Sequence, residues 1–198
     1  NQNNFKVTWS HQQDPKFRPN TTFSASVNFS TSGYSKYGAQ NMNDYLSSQT
    51  NSSISYSHNW SKVSLSTNLQ HSQNSRDSTV QLSFPNIVLS VSRINPFQRK
   101  DAVGKQRWYE KISLQYTGTL GNTVKEKDLF TEKMFKSMRN GINHQIPVQT
   151  SFNLFKYFNI NPSFNYQERW YFQKVDKEWD PVAKQVIDSD TTWGFYRL

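Results

Sequence analysis

The sequence predicts an all-β protein, specifically an antiparallel transmembrane β-barrel of the outer-membrane type, represented by a fragment of about nine strands. Three observations carry this prediction, and all are clearest in residues 141–174. The first is alternation. Ile142, His144, Ile146, Val148, Thr150, Phe152 and Leu154 are interleaved with Asn143, Gln145, Pro147, Gln149, Ser151 and Asn153. After a break at 155–158 the pattern resumes, with Ile160, Pro162, Phe164, Tyr166, Trp170 and Phe172 against Asn161, Ser163, Asn165, Gln167, Arg169 and Gln173. A period of two places apolar and polar side chains on opposite faces of extended chain, and two such runs around a short turn make an antiparallel hairpin.

The second observation is length. Each run exceeds ten residues, whereas strands of globular proteins average about five or six and a tilted bilayer crossing needs roughly nine to eleven. The third is the nature of the polar face, which is amide and hydroxyl rather than Lys and Glu. Hydrophobic residues make up only 34% of the chain and mean hydropathy is −0.85, yet aromatics reach 15%. Disordered chains lack aromatics; a water-lined barrel combines them with Ser, Asn and Gln. A soluble β-sandwich is the competing fold.

The 198 residues suffice for one domain or part of a larger one. They are expected to form part of a single barrel domain over residues 1–198 and to be an internal piece of a longer polypeptide, since the chain opens on Asn1 and still alternates at its last residues. No apolar run is long enough for a transmembrane helix, which says nothing against a barrel. There is no cysteine, so neither a disulfide framework nor a thiolate metal site exists within this span. The net charge of +9 suits an anionic partner: lipid phosphate, lipopolysaccharide or nucleic acid.

In chain order, Phe5, Val7, Trp9 and His11 mark a first strand, ended by Asp14-Pro15 and Arg18-Pro19-Asn20. Phe23, Ala25, Val27 and Phe29 mark the second, followed by a long loop over 31–50. Ile54, Tyr56, His58 and Trp60 mark the third, with a tight turn at 59–62; Val63, Leu65 and Leu69 mark the fourth, before a turn at 73–78. In 79–93 the apolar phase switches at Pro85-Asn86, which predicts one long strand with a bulge rather than a hairpin. A strand over 108–120 precedes a charged loop at 121–140, within which 125–139 has the spacing of a short amphipathic helix. The hairpin described above follows, then a loop over 175–190 and a final strand. The connections near 13–20, 59–62, 94–107 and 155–158 are assigned to the periplasmic side because most are short. Trp9, Trp60, Trp108, Tyr109, Trp170, Tyr171 and Phe172 lie near strand ends, as interfacial girdles do.

Nothing in the sequence points to an enzyme. Nucleophile-elbow, P-loop and dinucleotide motifs are missing, and no cofactor is expected. His11, His58, His71 and His144 share the apolar parity of their strands, which predicts rings packed on apolar neighbours with one nitrogen kept wet. Glu110 and Glu168, each flanked by basic and aromatic residues, read as charge-paired structural groups. The densest basic stretch offers Arg93, Arg99, Lys100, Lys105 and Arg107 as phosphate contacts. Nucleic acid is not an expected partner, because a strict apolar face has no use in a stacking groove.

The segments SFPNIVLSVSRINPFQRKDAVGKQRWYEKISLQYTG and FKYFNINPSFNYQERWYFQKVDKEWD, with NDYLSSQTNSSISYSHNW, resemble the LptD-like lipopolysaccharide-assembly proteins of Bacteroidota. The resemblance implies an integral barrel of the cell outer membrane that inserts lipopolysaccharide into the outer leaflet. Its implied partners are outer-membrane lipid, an LptE-like plug lipoprotein and the periplasmic Lpt bridge. It also implies a periplasmic jellyroll domain, which lies outside this span. Disulfide control of the kind used by proteobacterial relatives cannot operate within a span without cysteine. Asn143, Gln145, Asn165, Gln167 and Arg169, on the polar parity, are the expected plug or glycan contacts. Other large outer-membrane barrels for nutrient uptake or protein secretion, and a soluble carbohydrate-binding β-sandwich, are the alternatives.

Overall fold

The computed structural model describes residues 5–31, 34, 42, 49–74, 79–100, 104–127, 132, 134, 137–155 and 157–198, with the side chains of 188–191 excepted. The described chain is nearly all antiparallel β. Nine strands form one sheet in the order β1-β2-β3-β4-β5-β6-β7-β10-β11, and β8 pairs β9 in a second, two-stranded sheet. The strands are β1 (Lys6–Gln12), β2 (Thr21–Ser30), β3 (Gln49–Asn59), β4 (Val63–Asn74), β5 (Thr79–Ile94), β6 (Ser113–Glu126), β7 (Arg139–Gln149), β8 (Phe152–Leu154), β9 (Phe158–Ile160), β10 (Ser163–Asp180) and β11 (Gln185–Arg197). Apart from the small β8–β9 sheet, each strand pairs with its neighbours in the chain, as hairpin signals in sequence require. Among the described residues the order runs from β1 to β11 without closing.

Two compact units divide the chain: residues 1–59, 66–87 and 120–140, and residues 60–65, 88–119 and 141–198. In the first unit β1 and β2 pair in unbroken register from Lys6↔Ser30 to Gln12↔Ser24, and β2 continues onto β3 from Thr21↔His58 to Ser26↔Ser53. Hydroxyls pair across the polar face, Thr22 with Ser57 at 2.5 Å and Ser24 with Ser55 at 2.7 Å. On the other face Phe5 meets Phe29, and His11 lies between Trp9 and Phe23. Few apolar side chains are buried, Ala25, Val80, Val124 and Met134 among them, while Val7, Trp9 and Tyr56 stay exposed.

In the second unit β7 and β10 pair from Tyr171↔Gly141 to Ser163↔Gln149, and β8 and β9 continue in the same register from Phe152↔Ile160 to Leu154↔Phe158. The ladder is interrupted only around Thr150 and Pro162. Thr150 N donates to Pro162 O at 3.2 Å, but proline has no N–H to return. The expected hairpin with its turn at 155–158 is thus present, split into two sheets by Pro162. Phe155 turns the chain at the tip with φ +49°.

The structure corrects several sequence expectations. Residues 175–190 are not a loop: β10 and β11 continue through them to a four-residue turn at 181–184. There Asp180 Oδ1 accepts from Val182 N at 2.8 Å and Ala183 N at 3.2 Å, ahead of Pro181. Charges on both faces hid the strand pattern, and the Asp-Pro turn signal was available. Residues 108–111 form a 3-10 turn, and β6 begins only at Ser113 and runs to Glu126, past the expected end at 120. With a four-residue turn at 181–184 in place of the expected long loop, connection length no longer supports the assignment of sides made from sequence. The phase switch at Pro85 lies inside one continuous strand, as expected. The 125–139 helix candidate is corrected at both ends, where 125–126 continue β6 and 139 opens β7. Residues 128–131, 133, 135 and 136, most of the 31–50 loop and the 75–78 turn lie outside the described residues.

Candidate functional site: two faces of a long hairpin

The register of β7 on β10 sorts side chains like with like. On one face Val148 opposes Phe164, Ile146 opposes Tyr166, and Ile142 opposes Trp170; on the other Gln145 opposes Gln167 and Asn143 opposes Arg169. The expected polar contacts Asn143, Gln145, Asn165, Gln167 and Arg169 are therefore brought onto one surface, where Gln167 Nε2 donates to Asn143 Oδ1 at 2.9 Å. The apolar face is left open to its surroundings, Phe164 being 65% exposed. In water this arrangement forgoes the stabilisation that burial would give, so a solvent other than water, or a partner, must meet that face.

The apolar row runs from Ile142 to Leu154, about 40 Å at 3.3 Å per residue. A bilayer core of about 30 Å crossed at about 45° takes a strand of similar length. Aromatics stand at both ends. At the tip, Phe155, Tyr157 and Phe158 are exposed. At the far end, Tyr116 Oη lies 2.8 Å from His144 Nδ1, whose ring sits 4.2 Å from that of Trp170. Tyr116 reaches His144 across Gly118, where a Cβ would fall 2.5 Å from its hydroxyl. Glu168 belongs to this end, ion-paired with Arg197 and accepting from Tyr166 Oη and Trp170 Nε1.

The basic stretch is organised differently from a row of free cations. Arg99 pairs with Glu110, whose side chain is fully buried and also accepts from Arg107 N at 2.8 Å. Arg107 Nη1 donates to Tyr109 Oη at 2.9 Å, and its guanidinium carbon lies 5.9 Å from that ring. The Arg99 hydrogen bond, then the Arg107 backbone N–H, hold the Glu110 carboxyl below its ordinary range. Lys100 and Lys105 are exposed on the same connection, and Arg93 is exposed near the end of β5. Glu110 and Glu168 each have an arginine partner, as their flanking charges suggested.

His11, His71 and His144 pack on rings, His71 lying 5.9 Å from Phe29, whereas His58 Nδ1 is 2.7 Å from Thr21 Oγ1. Nε2 of His71 and of His144 is buried, so the nitrogen expected to stay wet does not do so there. Among the described residues no cluster of His, Asp and Glu could hold a metal ion.

Sequence reasoning overlooked one feature of the first unit, an open concavity of about 530 Å³ lined by residues of β2, β3, β4 and β5. Its signal was present in the Ser, Asn and Gln at alternate positions of those strands, which strand assignment alone left unused.

These features define a class: a large antiparallel sheet whose strands carry one apolar and one hydrophilic face, as outer-membrane β-barrel strands do. More specifically, the chain belongs to the family described as LptD protein, which matches it over residues 1–198. That family consists of outer-membrane proteins, which places this chain in lipopolysaccharide transport and assembly rather than in an enzyme class. No curated protein and no solved structure matches the chain.

Proposed function

We propose that this chain is part of the integral barrel of a translocon that receives lipopolysaccharide from a periplasmic Lpt bridge and inserts it into the outer leaflet. The apolar face meets lipid, and the hydrophilic face lines a lumen that takes the sugar-rich portion while the acyl chains leave sideways into the bilayer. No covalent step is involved. The observation that carries this reading is the like-with-like register of β7 on β10 over a bilayer-length row, in a chain of the LptD family.

Within this reading Asn143, Gln145, Asn165, Gln167 and Arg169 meet an LptE-like plug lipoprotein or the glycan. Arg93, Lys100 and Lys105 are available to lipid phosphates, with Arg99 and Arg107 chiefly holding their own connection in shape. A periplasmic jellyroll belongs elsewhere in the polypeptide.

The test is to purify the full-length native protein in mild detergent and identify what accompanies it by mass spectrometry. Lipopolysaccharide together with a small lipoprotein is the expected result. A surface lipoprotein that captures nutrients, or components of a secretion machine, would keep the fold and overturn the function. Solubility without detergent would overturn both in favour of a carbohydrate-binding sandwich.

A further inference from the structure

The concavity of the first unit arises from a local failure of strand pairing. The β2–β3 ladder ends at Ser26↔Ser53. One residue further along β3, the Ser52 hydroxyl replaces the missing backbone partner. It donates to Asn28 O at 2.9 Å and accepts from Asn28 N, also at 2.9 Å. A side chain inserted between two backbones holds them further apart than a ladder would, and the sheet opens there. Ser26, Asn51, Ser53, Gln70, Gln81 and Ser83 line the opening, and all six have the polar parity of their strands. His71 lines it too, with a buried Nε2 that has no protein partner.

Among the described residues the lining contains no Lys, Arg, Asp or Glu. Phosphate and carboxylate ligands are held by guanidinium or ammonium groups, often bidentately, and there is no countercharge here for them. Hydroxyls that both donate and accept, alternating with amides that offer two donors and an acceptor, match a ligand dense in hydroxyl groups. We infer that this concavity is a binding site for an uncharged saccharide segment, discriminating against phosphorylated sugars. The inference rests on the translocon reading for the source of the saccharide, and on the lining alone for its chemistry. With no Phe, Tyr or Trp among the described lining residues, binding is weak, with dissociation constants of roughly millimolar order. That suits a ligand in transit.

The test uses full-length native protein in detergent and ligand-observed NMR. The probes are neutral gluco-, manno- and galacto-oligosaccharides, glucose 6-phosphate and inorganic phosphate. Binding of a neutral oligosaccharide, unchanged by added NaCl and at least about fivefold weaker in the Gln70→Leu/Gln81→Leu protein, is expected. Should that double variant fail to fold, Ser53→Ala is read instead, with the same direction of effect. Binding of none of the neutral sugars, an equal affinity in the variants, or a salt-sensitive preference for the phosphorylated probes would each overturn the inference. Copurifying lipopolysaccharide with no neutral-sugar binding sinks this site and leaves the translocon; sugar binding without lipopolysaccharide does the reverse.

Discussion

Glu110 is the residue around which the 95–112 connection is built. A buried carboxylate persists only when paired and hydrogen-bonded, and Arg99 with the Arg107 N–H supplies both. Because its folded pKa is depressed, its contribution is fully present above the ordinary value of 4.5 and is lost as pH falls through the lower folded value. Acidification below about pH 4.5 is therefore expected to loosen this connection. Trp108 fluorescence and amide exchange over 95–112 would report it, and Glu110→Gln should remove the pH dependence while raising exchange at neutral pH. An unchanged acid response in that variant would show that another group titrates. The two glutamates were legible as paired from their flanking arginines and aromatics. Which arginine each takes was not, because Arg197 reaches Glu168 across a strand pair that no local spacing encodes.

At the scale of the element, the hairpin gives two predictions. Phe164 and Val148 sit at the middle of the apolar row, so Phe164→Lys should cost roughly 2–4 kcal/mol if that row crosses lipid. Asn165→Lys, one residue along and on the opposite face, should be near neutral. Denaturant titration of the protein folded into bilayers compares them, and equal costs would remove the assignment of faces. Pro162→Val restores the N–H that the ladder lacks opposite Thr150, and slower amide exchange across 150–162 is expected. If exchange there does not change, Pro162 is not what splits the ladder.

This hairpin was also the most legible part of the chain, because one amphipathic period persists through both runs. The β10–β11 extension was not, since Lys174, Asp176, Lys177, Glu178 and Asp180 carry charge on both faces and erase the period on which strand recognition depends. The 3-10 turn at 108–111 was hidden for a different reason. Its Glu110 carboxylate caps the turn at the Arg107 N–H and is held by Arg99, a pairing no local spacing encodes, and its aromatic residues read equally well as strand.

For the whole molecule, consecutive hairpins explain why the nine strands of the large sheet could be counted from sequence: each is bounded by its own turn signals and pairs with its neighbour. The concavity of the first unit was not visible in this way, because it depends on Ser52 leaving the ladder, and composition does not single out Ser52 among the serines of NSSISYS. Family membership and the two-faced sheet together make lipid outside and water inside the central claim.

That claim is tested most directly by spin labels on the full-length protein in bilayers, placed through single cysteines, of which these 198 residues have none. Labels at positions 146, 148 and 164 are predicted to be accessible to lipid-soluble oxygen and shielded from a water-soluble nickel chelate, with the opposite response at 145, 165 and 167. Equal accessibility of both sets to the aqueous reagent would contradict a membrane-spanning hairpin.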